Sequence, residues 1–192
     1  MKTTTLSTNL RKRLFLIPLL ACSLLISAQA VSPPPDGGYP GGNTAEGQNA
    51  LLSLTTGTYN TGVGFSSLSV TTTGKFNTAL GAGTLLANTG DNNTATGAGT
   101  LLSNTTGSFN TANGAFALFT NATGTSNTSN GAFSLLNNTS GVENTANGYR
   151  ALSGNATGVG NTAHDSQALV QSTDNNNIAF GGSCRFQYFY RQ

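Results

Sequence analysis

Charge is scarce in this chain of 192 residues: eight Lys and Arg and six Asp and Glu make up only 7% of it. Ordinary soluble domains carry roughly 25%. So little charge excludes the self-repulsion that keeps charge-rich disordered chains expanded. Trp is absent and His occurs once, at His164, so few side chains can do acid–base or metal chemistry. The two cysteines are Cys22 and Cys184. What the chain has instead is Gly, 25 residues of it, with Asn and Thr in abundance. That composition suits a polar structural or binding protein rather than an enzyme; it calls for no cofactor and no small-molecule substrate.

The N-terminus has its own composition. Lys2, Arg11, Lys12 and Arg13 precede an apolar run from Leu14 to Ala28, interrupted only by Pro18, Ser23 and Ser27, and Ala28-Gln29-Ala30 follows as a small-x-small site. A basic start, a short apolar stretch and that cleavage pattern read as a secretory signal peptide over residues 1–30. The run is shorter than the ~20 residues that span a bilayer. A lipoprotein reading takes Leu19-Leu20-Ala21-Cys22 as the lipidation site, but Leu24, Leu25, Ile26 and Ala28 after it do not resemble a solvated tether. Cleavage near Ala30 removes four of the eight basic residues and none of the six acidic ones, leaving four against six, a formal charge of −2. No basic patch then remains to attract phosphates, which excludes nucleic acid as a partner. Cys184 is left alone, so no intrachain disulfide forms and stability must come from packing or assembly. The expected location is outside the cell, secreted or on the surface.

A Pro/Gly-rich linker covers residues 31–42, and an internal repeat begins at Asn43. Asn43, Asn60, Asn77, Asn93, Asn110, Asn127, Asn144, Asn161 and Asn177 are 17 residues apart, or 16 in two cases. Thr follows each of the first eight, and a leucine stands eight positions on: Leu51, Leu68, Leu85, Leu101, Leu118, Leu135, Leu152 and Leu169. The consensus is N-T-A-x-G-x-x-x-L-x-x-N-T-T-G-x-x, with Gly four positions after Asn except at Asp165. Self-similarity at this period marks a solenoid whose units bury apolar surface only against their neighbours. The repeat array covers 43–182, about eight coils, and 183–192 is a non-repeat tail in which Arg185 stands where a ninth leucine is due. The tail is either a hydrophobic cap or the end of a truncated piece.

Within an extended N-T-A-x-G segment, Asn, Ala and Gly face one way and Thr and the variable residue the other. The variable position holds Glu46, Val63, Leu80, Thr96, Asn113, Asn130, Asn147, His164 and Phe180, a tolerance that suits a surface. Asn and Ala therefore face inward, where stacked amides can satisfy one another from coil to coil. The Gly positions and the N-T-T-G stretches supply turns with φ > 0. In the second half of each unit, Ala98, Leu101 and Leu102, and likewise Ala115, Leu118 and Phe119, follow i, i+3, i+4 spacing. That predicts a helical turn or a second short strand. The fold class is thus mainly β, a β-solenoid with one short strand plus a helical turn or second strand per coil. Its thin interior favours side-by-side association.

The remaining motifs carry little chemistry. His164-Asp165-Ser166 contains the residue types of a hydrolase triad, but consecutive residues in an extended segment cannot converge on one atom. Gly81-Ala82-Gly83 lacks the Lys-Ser/Thr of a phosphate loop. Asn-x-Thr sequons such as those at Asn104, Asn121 and Asn155 are by-products of the repeat. No catalytic, cofactor or metal site is expected.

An exported array of N-T-A-x-G-x-x-x-L units resembles the head repeats of trimeric autotransporter adhesins, the YadA-like heads, and similar arrays in bacterial surface and tail-fibre-like proteins. The resemblance runs from Asn43 to about Gly182. It implies a left-handed β-roll that forms a homotrimer and binds host matrix, other cells or a solid surface. The best-known repeats of that family are shorter than 17 residues, and this chain shows neither a long heptad stalk nor a membrane barrel. A ligand-free spacer of a surface fibre is the alternative function. An ice-binding solenoid, drawn from the regular ladder Thr44 to Thr162, is a third.

Overall fold

The computed structural model describes residues 39–182 and the backbone of a strand at Tyr188–Phe189. The expected signal peptide, the linker as far as residue 38, Cys22 and Cys184 lie outside the described residues.

Alternation of inward and outward side chains within each N-T-A-x segment produces short strands: β1 (Thr44–Glu46), β2 (Thr61–Val63), β3 (Thr78–Leu80), β4 (Thr94–Thr96), β5 (Thr111–Asn113), β6 (Thr128–Asn130), β7 (Thr145–Asn147), β8 (Thr162–His164) and β9 (Asn177–Phe180). In each, the residue after the Thr position is buried while its two neighbours are not, the period-2 pattern of a sheet with one face covered. The strands are joined in chain order into one parallel sheet. Thr pairs with Thr from Thr44↔Thr61 through Thr145↔Thr162, so equivalent residues stack without stagger. The chain is a parallel β-solenoid with one strand per coil. At its C-terminal edge β10 (Tyr188–Phe189) runs antiparallel to β9 and covers part of the open edge.

The second half of each coil corrects the sequence reading. Among the described residues there is neither a helix nor a second strand there. The chain instead makes a run of turns in which every other residue is left-handed: Gly97 (φ 123), Gly99 (φ 63) and Leu101 (φ 51) in one coil, Gly114 (φ 124), Phe116 (φ 56) and Leu118 (φ 49) in the next. Repeated changes of hand prevent the i→i−4 bonding of a helix. Gly97 and Gly99 N–H donate to the previous coil, at Leu80 O (2.8 Å) and Ala82 O (2.9 Å), whereas Leu101 N–H donates to the next, at Ala117 O (3.0 Å). The i, i+3, i+4 spacing thus records which residues face inward along a zigzag path.

All eight leucines adopt φ between 47° and 51° and are 0–6% exposed. A left-handed L-residue costs roughly 1–2 kcal/mol, which full burial of a leucine, worth roughly 1.5–3 kcal/mol, offsets. Beside the leucine column run two columns of small buried residues, including Ala79, Ala95 and Ala112 on the strands and Ala117, Ser134 and Ala151 next to the leucines. Leu118→Ala removes a rung of this narrow core and is expected to destabilise by about 3 kcal/mol, read as a lower urea midpoint with the slope unchanged.

The fourth position after each strand-leading Asn is Gly except at Asp165, which is held at φ 95. That backbone favours Gly. Asp165→Gly is therefore expected to stabilise the chain by about 1 kcal/mol, seen as a rise in melting temperature.

The 16-residue spacings are absorbed without breaking the stack. Asn88 Nδ2 donates to Gly90 O only two residues on (2.9 Å), whereas Asn104 Nδ2 reaches Gly107 O three residues on (2.8 Å). The turn contracts from N-T-T-G to N-T-G, and coil length changes there alone in that unit.

Candidate binding face and its asparagine scaffold

The Asn that opens each strand points into the solenoid. Asn60, Asn77, Asn93, Asn110, Asn127, Asn144 and Asn161 are all fully buried. In the regular rungs one Oδ1 accepts twice from the following coil. Asn110 Oδ1 takes the Asn127 backbone N–H at 3.1 Å and Asn127 Nδ2 at 3.1 Å. The Asn110 Nδ2 group donates to Asn93 Oδ1 (3.2 Å) behind and to Gly124 O (2.9 Å) ahead. Each such amide thereby fills its donors and its acceptor inside the core, where an unmade bond costs roughly 1–3 kcal/mol.

The ends of the column differ. At the first rung Asn43 Nδ2 donates to Pro40 O (2.6 Å) and Gly57 O (3.0 Å). At the last, Asn177 Oδ1 is buried and has no hydrogen-bond partner among the described residues.

A second asparagine column runs through residues that the sequence pattern assigns to turns. Asn88, Asn104, Asn121, Asn138 and Asn155 are fully buried. Each Nδ2 after the first donates to the preceding Oδ1, at 2.6 Å (Asn104→Asn88), 2.6 Å (Asn121→Asn104), 2.7 Å (Asn138→Asn121) and 3.0 Å (Asn155→Asn138). Recurrence of Asn eleven positions after the first, in five successive units, was the available signal. Four of these residues open sequons, Asn104, Asn121 and Asn155 before x-Thr and Asn138 before x-Ser, and their amides are committed to the interior.

A related correction concerns the glycines that close the N-T-T-G turn and its variants T-T-T-G and N-T-G. Gly74, Gly90 and Gly107 are not left-handed. They are needed because coils approach closely there: a Cβ on Gly74 would lie 2.9 Å from Gly90 O.

This scaffold fixes an outward face on the strands. Thr44 to Thr162 form one in-register column, exposed or half-buried along its length. The parallel column two residues on is mixed, from Glu46 to Phe180. In its middle the amides form an outer ladder: Asn113 Nδ2 donates to Asn130 Oδ1 (2.9 Å), and Asn130 Nδ2 to Asn147 Oδ1 (2.9 Å). Just before the strands Tyr59 and Phe76 stack with centroids 5.2 Å apart, and with Phe109 they are 54–63% exposed.

His164, Asp165 and Ser166 are each exposed at the surface, and the His164 ring packs edge-on against Phe180 at 6.0 Å. Among the described residues no group of three or more His, Cys, Asp or Glu side chains could hold a metal ion. No family model matches the chain, and no curated protein or solved structure is significantly similar to it.

Proposed function

We propose that the chain is an exported, cell-surface adhesion module. Its solenoid presents a repetitive Thr/Asn face to host matrix, another cell or a solid, in the manner of a YadA-like head. The supporting observation is the unstaggered register of the outer columns, which repeats one small set of contacts at every coil from Thr44 to Thr162. A single hydroxyl or amide contact in water is worth little. Many identical contacts on one rigid body add through effective concentration. The same reading takes the coil as a left-handed β-roll, places the mature N-terminus after Ala30 and assembles three chains side by side, because the apolar core of each coil, beside its buried asparagines, is only one leucine and two small residues.

The test is binding of the exported chain to wells coated with collagen, with fibronectin or with fixed cells, and to bare polystyrene, all against albumin-coated wells. Saturable binding to at least one surface is expected, with a several-fold loss on Asn113→Lys/Asn130→Lys, which roughens the outer ladder. Binding equal to the albumin control on every surface overturns the adhesion reading and is what a spacer gives. N-terminal sequencing of the exported chain is expected to begin at Val31.

A further inference from the structure

Phe116 and Phe133 occupy left-handed positions (φ 56 and 59) where the two preceding coils carry Gly83 and Gly99. A bulky side chain is unfavourable at such φ, and Gly is the residue the backbone prefers. Burial does not compensate fully: Phe116 is 39% exposed and Phe133 half-buried. The aromatic residues at these two positions are therefore not explained by the demands of the coil.

They belong to a continuous apolar ridge. The Phe116 ring stacks on Phe133 (5.5 Å, 14°) and meets Phe119 edge-on (5.6 Å), while Phe133 meets Tyr149 edge-on at 6.0 Å. In adjacent coils Leu86, Leu102 and Leu136 stand at the position of Phe119 and are half-buried. A Cβ on Gly99 would lie 3.0 Å from the Phe116 ring and 3.7 Å from Phe119, so both rings fold over the glycine and close the ridge without a gap. From the coil of Leu86 to that of Leu136 neither row holds a charged side chain; Arg150 comes next.

We propose that this ridge is the face on which a second copy of the chain seats lengthwise in the assembly. The inference rests on the side-by-side association put forward above and says which surface makes it. At ~200 Å² per aromatic side chain the ridge leaves on the order of 400 Å² of apolar surface open, the size of patch that marks interaction sites on monomers. A stable interface covers ~800 Å² per partner. A second rod laid along these coils also covers the neighbouring row of Ala82, Ala98, Ala115 and Ala132, which are exposed or half-buried and add to the covered area. The occupant is a second copy because only another solenoid of the same coil spacing keeps each ring against an equivalent group in successive coils. The absence of charge in the two rows also means that identical ridges bring no like charges together.

Light scattering and sedimentation velocity on the exported chain and on Phe116→Gly/Phe133→Gly test this. The substitution installs the residue the backbone prefers, so the coil is expected to keep its circular dichroism while the mass falls threefold, from three chains to one. Phe76→Gly/Phe109→Gly, at the other exposed aromatic positions, is expected to keep the three-chain mass. If the ridge variant folds and retains the wild-type mass, the ridge is not the interface although association stands. If the ridge variant alone loses its circular dichroism, the wild-type melting temperature decides: a rise with protein concentration means that the coil folds only when associated through the ridge, whereas a concentration-independent value means that the rings are needed by the coil itself and the proposal fails. If the wild-type chain is monomeric at micromolar concentration, association falls with it. The adhesion reading is judged separately by the coated-well assay.

Discussion

Gly114→Ala is expected to abolish the cooperative thermal transition, or to cost more than about 4 kcal/mol where a transition survives. Two effects add. Gly114 sits at φ 124, a backbone that L-residues rarely adopt. A Cβ there would also lie 2.7 Å from the Gly131 carbonyl carbon, 2.8 Å from its oxygen and 2.9 Å from Ala132 N. These are backbone atoms of the next coil and cannot rotate away. Relief requires parting two coils, which breaks the bond from Gly131 N–H to Asn113 O (2.8 Å). Gly83→Ala is the matched comparison. Its φ of 65 is also left-handed, but the nearest atom to an added Cβ is Leu102 Cδ1 at 3.6 Å, ordinary contact. It is expected to cost about 1 kcal/mol. Thermal melts followed by circular dichroism separate the two; similar losses for both would mean that coil-to-coil approach at Gly114 does not limit stability.

The second large effect is at the inner ladder. Asn110→Ala is expected to cost about 4 kcal/mol, the sum of a lost buried side chain and a stranded amide. The Asn127 backbone N–H has Asn110 Oδ1 as its acceptor (3.1 Å) and is left buried without one. Other groups are less exposed to the loss, since Gly124 O keeps Asn121 Nδ2 (3.0 Å) and Asn127 Nδ2 keeps Gly141 O (2.8 Å). Asn113→Ala, in the outer ladder, removes a bond that water can replace and is expected to change stability by no more than about 0.5 kcal/mol. Equilibrium urea unfolding of both variants gives the comparison. A small loss at Asn110 would mean that water enters the column.

The stacking of parallel coils was legible because it depends on identity at a fixed beat. Asn at one phase and Leu at another must recur if equivalent residues are to lie above one another, and the Thr-to-Thr register follows from that beat. The path between the strand and the leucine was not legible. The spacing of Ala98, Leu101 and Leu102 matches one face of a helix, and apolar spacing carries no sign of φ. The handedness signal lay in another column, where Ser66, Gly83, Gly99, Phe116, Phe133 and Arg150 share φ near 60 although their side chains have nothing in common. Such a position is set by the coil-to-coil amide bonds of its neighbours, which no single residue type announces. The second asparagine column was hidden for a different reason. N-T-T-G has the composition of a turn, and turn asparagines usually bond their own backbone. Here Asn104 does both, donating to Gly107 O and to Asn88 Oδ1.

The outward face is the least determined by sequence pattern. Thr recurs there, but its neighbours two residues on range from Glu46 to Leu80, His164 and Phe180. Tolerance of that kind identifies a surface and does not name what touches it. The aromatic ridge is legible only once φ is known, since Phe116 and Phe133 read in the sequence as ordinary apolar residues.

Hydrogen exchange followed by nuclear magnetic resonance tests the interior ladders most directly. The side-chain NH₂ groups of Asn77, Asn110, Asn127 and Asn144 are expected to persist in D₂O alongside their backbone amides, while those of Asn113 and Asn130 exchange at once. Exchange of the inner side-chain amides as fast as the outer ones would contradict the buried columns on which the solenoid is built.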